Sequence, residues 1–322
     1  MRAFVTGGSG FIGSHLIDAL IKSGWNVKAL IHRGAILQEG GVETIRGDIC
    51  DRAALREGLK GTDVLFHLAS VLGSSVIGKD EFFRINSHGT EAVLETAREE
   101  NVKRVIHLSS AGVLGAVKKN DIADEDYSPN PIQVYDRTKL EGEKTALRFG
   151  EDGMDIVVIR PGWAYGPRDK RTFKLIKAIS RGKFIMATKG EARQTPVYID
   201  DLVKGILLAA EKGKKSAVYH LAGEEILTAR EIVRVIASSC GRRIPRFRLP
   251  LLPARLAALI LEKIFSPLRR EPPLNRAKLS FFLQSKPLSI QKAKKELGFF
   301  PSIDFLQGLR MTISWYKEQG WL

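Results

Sequence analysis

The stretch Thr6-Gly7-Gly8-Ser9-Gly10-Phe11-Ile12-Gly13 decides the fold of this 322-residue chain. A short apolar run at residues 3–6 precedes it, and residues 15–23 after it repeat apolar side chains at helical spacing. A sharp turn from a strand into a helix needs residues whose backbone is free of Cβ clashes. The glycines therefore predict a strand, a tight turn and a helix at the start of the chain.

Further short apolar runs alternate with helical patterns through the first half of the chain. They are residues 27–31, 64–68, 105–108 and 156–159. Strands that are nearly continuous apolar runs, separated by helices, form parallel sheets covered on both faces. The predicted fold is therefore α/β, a Rossmann-type doubly wound parallel sheet.

The glycine-rich turn predicts a dinucleotide site. At such a turn the unpaired backbone N–H groups that open the helix bind a pyrophosphate. The predicted contacts come from Gly7, Gly10, Phe11, Ile12 and Gly13. Because the turn begins a βαβ unit, NAD(P) binding is favoured over an ordinary glycine-rich loop.

The end of the second strand indicates which dinucleotide binds. NAD sites usually place an acidic residue there for the ribose 2′-OH, whereas NADP sites place an arginine nearby. His32 and Arg33 occupy this position, so NADP(H) is favoured and NAD(H) is the alternative; Arg33 could also be a solvated loop residue. After the third strand, Asp48 and Ile49 are predicted to contact the adenine, or Asp48 to cap the next helix.

Composition restricts the class of protein. The formal charge is +15, but Lys and Arg are spread along the chain, which favours a solvated surface over a nucleic-acid site. Cys50 and Cys240 have neither disulfide nor zinc spacing, so no metal site is predicted. The first strand begins almost at Met1, which leaves no room for a signal peptide, and the predicted location is cytoplasmic.

The second half of the chain predicts a smaller, mostly helical substrate lobe. We expect residues 1–170 and 196–226 to form the dinucleotide domain, and residues 171–195 and 227–322 to form this lobe. The helices predicted here cover residues 172–180, a segment ending near Glu211, a segment from the Thr228 and Glu231 capping box toward Ser239, a segment between Ser289 and Gly298, and residues 303–319.

A tyrosine and a lysine four residues apart predict the chemistry. Tyr135 and Lys139 project from one face of the helix predicted over residues 132–149. A free phenol has a pKa of about 10, and we expect the Lys139 ammonium, together with a cationic nicotinamide, to lower the pKa of Tyr135 for general acid/base work. Ser110 follows the fifth strand, at the sheet edge where such folds bind ligands, and can hydrogen-bond a substrate oxygen.

Together these motifs resemble the extended short-chain dehydrogenase/reductase family, the NAD-dependent epimerases and dehydratases, over essentially the whole chain. The residues that carry the resemblance are residues 6–13, His67-Leu68-Ala69, Asn86, Gly89-Thr90, Ser109-Ser110-Ala111, Tyr135 to Lys139, Arg160-Pro161, Tyr165-Gly166-Pro167 and residues 197–201.

The resemblance implies roles for several of these residues. Ser110 and Tyr135 flank the reacting oxygen, and Lys139 also binds the nicotinamide ribose. Backbone at Leu68-Ala69 and at Pro161 lines the nicotinamide pocket. Asn86 has a structural role. The family also implies a homodimer formed by the helices around residues 82–99 and 132–149.

Within the family, three sites bear on the reaction. Dehydratases carry an Asp-Glu pair where this chain has Ala111-Gly112, which argues against dehydration. Nucleotide-sugar epimerases often carry Tyr-Gly where this chain has Leu114-Gly115, which weakens that assignment. Arg193 matches the arginine that holds the nucleotide-sugar pyrophosphate in epimerases, although a solvated or structural arginine is equally consistent with its position.

The tail resembles the branch of 3β-hydroxysteroid dehydrogenases, dihydroflavonol reductases and hopanoid-associated enzymes. Its apolar segment, residues 249–265, favours a hydrophobic or ring-bearing substrate. Because Arg255 and Glu262 interrupt it, it cannot span a bilayer. A buried lobe or a dimer helix is favoured over peripheral contact with anionic lipid, which Arg269 and Arg270 would support.

Three functions are consistent with these patterns. The favoured one is an NADP(H)-preferring oxidoreductase that transfers a hydride at a secondary alcohol or ketone carbon, with Tyr135 passing the proton. The second is a nucleotide-sugar epimerase that uses no net cofactor. The third, a non-catalytic dinucleotide sensor, is disfavoured because a sensor has no use for Ser110, Tyr135 and Lys139 together.

Overall fold

The structure, a computed structural model, describes residues 1–32, 34, 41–72, 77–243, 248–265, 267–268 and 270–322. Its strands are β1 (Arg2–Thr6), β2 (Asn26–Ile31), β3 (Val42–Arg46), β4 (Val64–His67), β5 (Arg104–Leu108), β6 (Ile156–Pro161), β7 (Trp163–Tyr165), β8 (Met186–Ala187), β9 (Arg193–Gln194), β10 (Pro196–Tyr198), β11 (Val218–Leu221), β12 (Leu227–Thr228) and β13 (Arg248–Leu249). Its α-helices are α1 (Phe11–Lys22), α2 (Arg52–Leu59), α3 (Lys79–Phe83), α4 (Gly89–Glu99), α5 (Val134–Glu151), α6 (Lys170–Ser180), α7 (Ile199–Lys212), α8 (Ala229–Ser239), α9 (Leu251–Phe265), α10 (Arg276–Leu283), α11 (Gln291–Leu297) and α12 (Phe305–Glu318). A π-helical turn, Arg84–His88, joins α3 to α4, and a 3₁₀ helix, Ala111–Leu114, follows β5.

Within the described residues, seven strands form one parallel sheet in the order β11-β6-β5-β4-β1-β2-β3. The chain runs from β1 outward to β3 and then returns to β4 on the other side of β1. Ligands of doubly wound folds bind at this reversal, outside the carboxyl ends of the strands. The predicted fold class is confirmed, and the site is expected at the ends of β1 and β4.

The sheet is buried on both faces because its strands carry apolar side chains at successive positions. In β1, Ala3 and Val5 belong to the larger core cluster, while Phe4 belongs to the cluster on the opposite face. Alternate residues of a strand point to opposite faces, so each face needs its own apolar set. This is why apolar residues occupy successive positions of β1 rather than every second position.

Helix ends follow their capping residues, and this corrects one predicted boundary. Helix α6 begins at Lys170 rather than at residue 172, because the Asp169 carboxylate accepts hydrogen bonds from the N–H groups of Arg171 and Thr172 at 2.9 and 3.2 Å. The predicted capping box of Thr228 and Glu231 is present at the start of α8. Around residues 82–99, where helices are expected, the π-helical turn Arg84–His88 separates α3 from α4.

The second lobe packs against the sheet domain through aromatic side chains. The Trp163 ring on β7 lies 5.1 Å from the Phe281 ring of α10 and 6.0 Å from the Phe305 ring of α12, centroid to centroid. The Gln133 side chain, just before α5, donates to the Ser280 hydroxyl of α10 at 2.6 Å. Helix α10 is thereby held beside the end of α5 that carries Tyr135.

The apolar tail is expected to form a buried lobe or a dimer helix; burial is wrong for the large side chains of α9, and a dimer helix stays a prediction. Leu252 is 76% exposed and Leu256 is 60% exposed, whereas Ala254 and Ala258 on the opposite side are fully buried. Small side chains bring α9 close to the rest of the lobe, so its large apolar side chains face outward. Among the described residues, no helix is long and apolar enough to cross a membrane. Arg269, one of the two arginines that would support contact with anionic lipid, lies outside the described residues.

Candidate active site

The glycine turn has the geometry of an anion site. Gly7 has a φ of +76°, and a Cβ there would lie 2.8 Å from the Ala69 nitrogen. A Cβ at Gly13 would overlap the Gly7 carbonyl oxygen. Gly10 precedes α1 without a side-chain cap, so the N–H groups of Phe11, Ile12 and Gly13 have no partner within the helix. The cradle therefore fits the pyrophosphate of NAD(P).

Hydrogen bonds lock the ends of β1 and β4 together beside this turn. The Thr6 hydroxyl accepts from the Ala69 N–H at 3.2 Å and is bonded to His67 Nδ1 at 2.8 Å. The Leu68 N–H donates to the Thr6 carbonyl at 3.2 Å. Leu68 and Ala69 therefore lie directly beside the glycine turn, and their predicted contact with the nicotinamide stays a prediction. Pro161 ends β6 on the same edge of the sheet.

Asp48, which is predicted to contact the adenine, forms an ion pair that sequence patterns did not predict. The Arg84 guanidinium donates to both carboxylate oxygens of Asp48, at 2.7 and 3.0 Å. This pair lowers the pKa of Asp48 to about 2. The first turn of α2 is capped by Asp51 instead, so the capping alternative for Asp48 is wrong.

Two further residues that are predicted to bind the cofactor, His32 and Ile49, lie at this end of the sheet. His32 Nδ1 is 3.7 Å from Asp48 Oδ2. Ile49 is buried. Arg33 lies outside the described residues, and its predicted contact with a 2′-phosphate stays a prediction.

Tyr135 lies at the start of α5, near two serine side chains. The Ser110 and Ser70 side chains lie close enough to its phenol to lower the pKa of Tyr135. Ser110 is fixed in place because its oxygen also accepts from the Gly112 N–H at 2.9 Å. The structure thus brings together the predicted Ser110 and Tyr135, at the carboxyl edge of β4 and β5.

The predicted lowering of the Tyr135 pKa is wrong for this state of the protein. Burial, together with the negative charge of Asp136, raises the pKa of Tyr135 to about 12. The positive charge of Arg171 and the hydrogen bonds from Ser110 and Ser70 oppose that rise without reversing it. The phenol is therefore fully protonated at neutral pH and is a proton donor.

Lys139 is buried one turn further along α5. Its ammonium donates to the Leu108 carbonyl at 2.6 Å. Burial lowers its pKa to about 8, and the Glu143 carboxylate opposes that shift. The lysine is thus a cation at neutral pH, at the end of β5 beside the predicted ribose position.

A buried ion pair supports this end of α5. Glu143 lies one turn beyond Lys139 and bonds the Arg160 guanidinium of β6 at 2.6 Å. The Ser109 hydroxyl donates to the same carboxylate at 2.5 Å. Glu143 therefore ties α5 to both β5 and β6, and sets the position of Lys139.

Asn86 joins the segment after β4 to α5. Its side chain accepts from the Val71 N–H at 2.8 Å and donates to the Val71 carbonyl at 3.1 Å and the Thr138 hydroxyl at 3.0 Å. These contacts agree with a structural role.

Arg193 is held away from the catalytic group. Its guanidinium donates to the carbonyls of Lys119 and Asp121 at 2.5 and 2.8 Å. It therefore stabilises the segment after the 3₁₀ helix in this structure. Binding of a substrate phosphate by Arg193 stays a prediction.

Sequence reasoning missed three residues around Tyr135. Ser70 follows β4 directly, so the argument that found Ser110 after β5 could have found it. Asp136 is buried next to the phenol and lies 3.7 Å from the Lys286 ammonium. Arg171 comes from α6, and only the folded chain brings its charge near Tyr135.

Comparison with known proteins agrees with this geometry. Residues 3–222 match the model of the NAD dependent epimerase/dehydratase family. The chain is 32% identical to 4-hydroxy-2-methyl-3-oxo-4-farnesyl-3,4-dihydroquinoline-1-oxide ketoreductase of Stigmatella aurantiaca, over 96% of this chain and 95% of that protein. It is 30% identical to the decarboxylating sterol-4-alpha-carboxylate 3-dehydrogenase of Mus musculus, over 97% of this chain and 90% of that one.

Solved structures of known proteins have the same fold as this chain. MoeE5, solved with UDP-glucuronic acid and NAD, superposes with a TM-score of 0.82 at 27% identity, over 99% of this chain and all of that chain. The chain therefore belongs to the NAD dependent epimerase/dehydratase family, and it is an enzyme of the NAD-dependent dehydrogenase, reductase and epimerase class that the sequence predicted.

Proposed function

We propose that this protein is a reductase or dehydrogenase that transfers a hydride at the secondary alcohol or ketone carbon of a hydrophobic or ring-bearing small molecule. The observation that carries the proposal is the grouping of Tyr135 with Ser110 and Ser70, whose side chains lie close enough to lower the pKa of its phenol, at the carboxyl ends of β5 and β4. It supports proton transfer to a substrate oxygen bound between them.

Each of these residues has a distinct role in the proposed reaction. Nicotinamide, when bound, supplies or accepts the hydride. Tyr135 gives its phenolic proton to the substrate oxygen in the reductive direction, and its raised pKa keeps that proton available. Ser110 orients the oxygen. Lys139 holds the ribose and, as a cation, stabilises the phenolate that remains on Tyr135.

Aromatic residues support a flat or greasy substrate. Trp163, Phe281 and Phe305 form one aromatic cluster next to α10, and α10 is tethered beside the start of α5 by Gln133. The ketoreductase and the sterol 3-dehydrogenase named above are relatives whose names specify isoprenoid-bearing or steroid substrates. An epimerase of nucleotide sugars is the competing function, and the solved structure of MoeE5 with UDP-glucuronic acid and NAD is one neighbour that supports it.

One experiment separates the two functions. The purified protein is denatured, released small molecules are identified by mass spectrometry, and cofactor oxidation is followed with cyclic ketones. We expect protein free of tightly bound cofactor and net NADPH oxidation with a hydrophobic ketone. Retained NAD(P) together with a nucleotide sugar, and no net change in cofactor absorbance, would replace this proposal with epimerisation.

We also propose a preference for NADP(H), which the His32-Arg33 pair at the end of β2 supports. Replacing Arg33 with Ser is expected to weaken NADPH binding by about tenfold or more, because a charge-assisted contact to the 2′-phosphate contributes on the order of 1.5–3 kcal/mol. NADH binding should not change. Arg310→Ser, at an exposed position of α12, is the control. Equal losses for both cofactors would contradict the preference.

We further propose a homodimer and a cytoplasmic location. Exposed Phe83 and Ile132, at the ends of the helices expected to pair, support the dimer, which sedimentation at several concentrations tests. The free thiols of Cys50 and Cys240 support a reducing compartment.

A further inference from the structure

Helix α9 carries an unpartnered apolar face. Its exposed large side chains recur at positions i, i+4, i+7, i+8 and i+12, which lie on one side of a helix. They are Leu252 at 76%, Leu256 at 60%, Leu259 at 49%, Ile260 at 49% and Ile264 at 55% exposure. Burying side chains of this size stabilises by roughly 1.5–3 kcal/mol each, so a partner surface is expected.

Most of the charges around this face are cationic. Arg255 and Lys263 of α9 are exposed. Two cations, Lys189 and Arg248, and one carboxylate, Glu191, border the surface on which Leu251 begins the helix. The acidic residue of α9, Glu262, is mostly buried and bound to Arg276 at 2.8 Å. Long basic side chains can extend from an apolar face to reach anionic groups in water.

These observations distinguish a lipid surface from a second copy of the chain. Pairing of two α9 faces would place the Arg255 and Lys263 side chains of both copies near one another, and like charges repel. An anionic bilayer offers acyl chains to the leucines and headgroup phosphates to the cations. At 15 residues, α9 is too short to span the bilayer, but it can lie in the interface.

We propose that α9 is an interfacial helix that docks this enzyme on an anionic membrane surface. Its position also connects the membrane with the catalytic cleft. Arg276, which binds Glu262, begins α10, and Ser280 of α10 binds Gln133, two residues before Tyr135. Docking of α9 on a membrane requires no particular reaction at Tyr135, so this proposal is independent of the proposed function.

The test is flotation of the full-length protein with two kinds of vesicle. One contains phosphatidylcholine alone, and the other also contains phosphatidylglycerol. We expect retention on the anionic vesicles and little on the neutral ones. The variant Leu256→Ser/Ile260→Ser should lower the partition coefficient by at least about tenfold, and Arg255→Glu/Lys263→Glu should also abolish retention.

Matched controls come from α12, where Leu306 and Met311 are exposed apolar residues and Arg310 and Lys317 are exposed cations. Leu306→Ser/Met311→Ser and Arg310→Glu/Lys317→Glu repeat the same changes away from α9 and should leave retention unchanged. Thermal unfolding and NADPH binding verify that every variant is folded.

Three outcomes would overturn the proposal. The first is that neither kind of vesicle retains the wild-type protein. The second is retention that the α9 and α12 variants lose equally. The third is dimerisation in lipid-free buffer that Leu256→Ser/Ile260→Ser abolishes, which would assign the face to a second copy. Cofactor binding by the same samples reports separately on the proposed oxidoreductase.

Discussion

Replacing Tyr135 with Phe is expected to lower kcat by roughly two to four orders of magnitude, the range that general acid/base catalysis contributes. The variant keeps the ring but loses the proton that the hydroxyl gives to the substrate oxygen. Ser110 and Ser70, whose side chains lower the pKa of this phenol, cannot replace it, because a serine hydroxyl is a much weaker acid. The measurement is steady-state oxidation of NADPH with a ketone substrate.

Cofactor binding provides the internal control for this variant. NADPH titration should give a dissociation constant close to that of the wild type, because Lys139 and the glycine turn remain. Tyr127→Phe removes a tyrosine hydroxyl that accepts from the Lys118 N–H at 3.2 Å, outside the catalytic group, and should retain activity. Undiminished turnover of the Tyr135 variant would remove this residue from the mechanism.

Replacing Glu143 with Gln is expected to lower the free energy of unfolding by about 3–5 kcal/mol, because it leaves the Arg160 guanidinium buried without a counter-charge. Both side chains of this pair are at most 5% exposed. Denaturant unfolding followed by fluorescence measures the loss. NADPH binding at neutral pH should weaken as well, because Glu143 raises the pKa of Lys139 and its removal favours the neutral amine.

A surface ion pair and a double variant test whether the unpaired charge of Arg160 causes the loss of stability. Glu91 pairs with Arg148 at 2.8 Å, and both side chains are largely exposed. Glu91→Gln should therefore lower the free energy of unfolding by less than about 1 kcal/mol. Glu143→Leu/Arg160→Met removes both charges and should recover much of the stability lost by Glu143→Gln, because the buried charge is no longer unpaired. Equal destabilisation by Glu143→Gln and Glu91→Gln would contradict the role of the buried pair.

Local patterns predicted the sheet and the glycine turn because those features depend on neighbouring residues. The inner strands of the sheet contain short apolar runs, because a strand that is buried on both faces is apolar at nearly every position, whereas the edge strand β3 is mostly polar and exposed. Helix boundaries were less predictable. Asp169 starts α6 two residues earlier than its apolar pattern, since a capping carboxylate adds a turn that contributes nothing to the core.

Catalytic residues were predictable where spacing or strand ends fix them. Tyr135 and Lys139 are one helical turn apart, and Ser110 follows a strand whose end faces the site. The raised pKa of Tyr135 was not predictable, because burial and the charge of Asp136 outweigh the nearby cations only once the lobe covers α5. Arg171 likewise comes from a helix far along the chain.

The sequence by itself determined the doubly wound sheet, the dinucleotide turn and the family, because these features depend on residues that are close together along the chain. The tertiary structure alone decided that Arg84 binds Asp48, that Arg193 binds backbone carbonyls, and that the leucines of α9 face outward. Periodicity locates an apolar face on a helix, but it cannot say whether that face is covered. Only the packing of distant segments leaves Ala254 and Ala258 inside and Leu252 and Leu256 in contact with solvent.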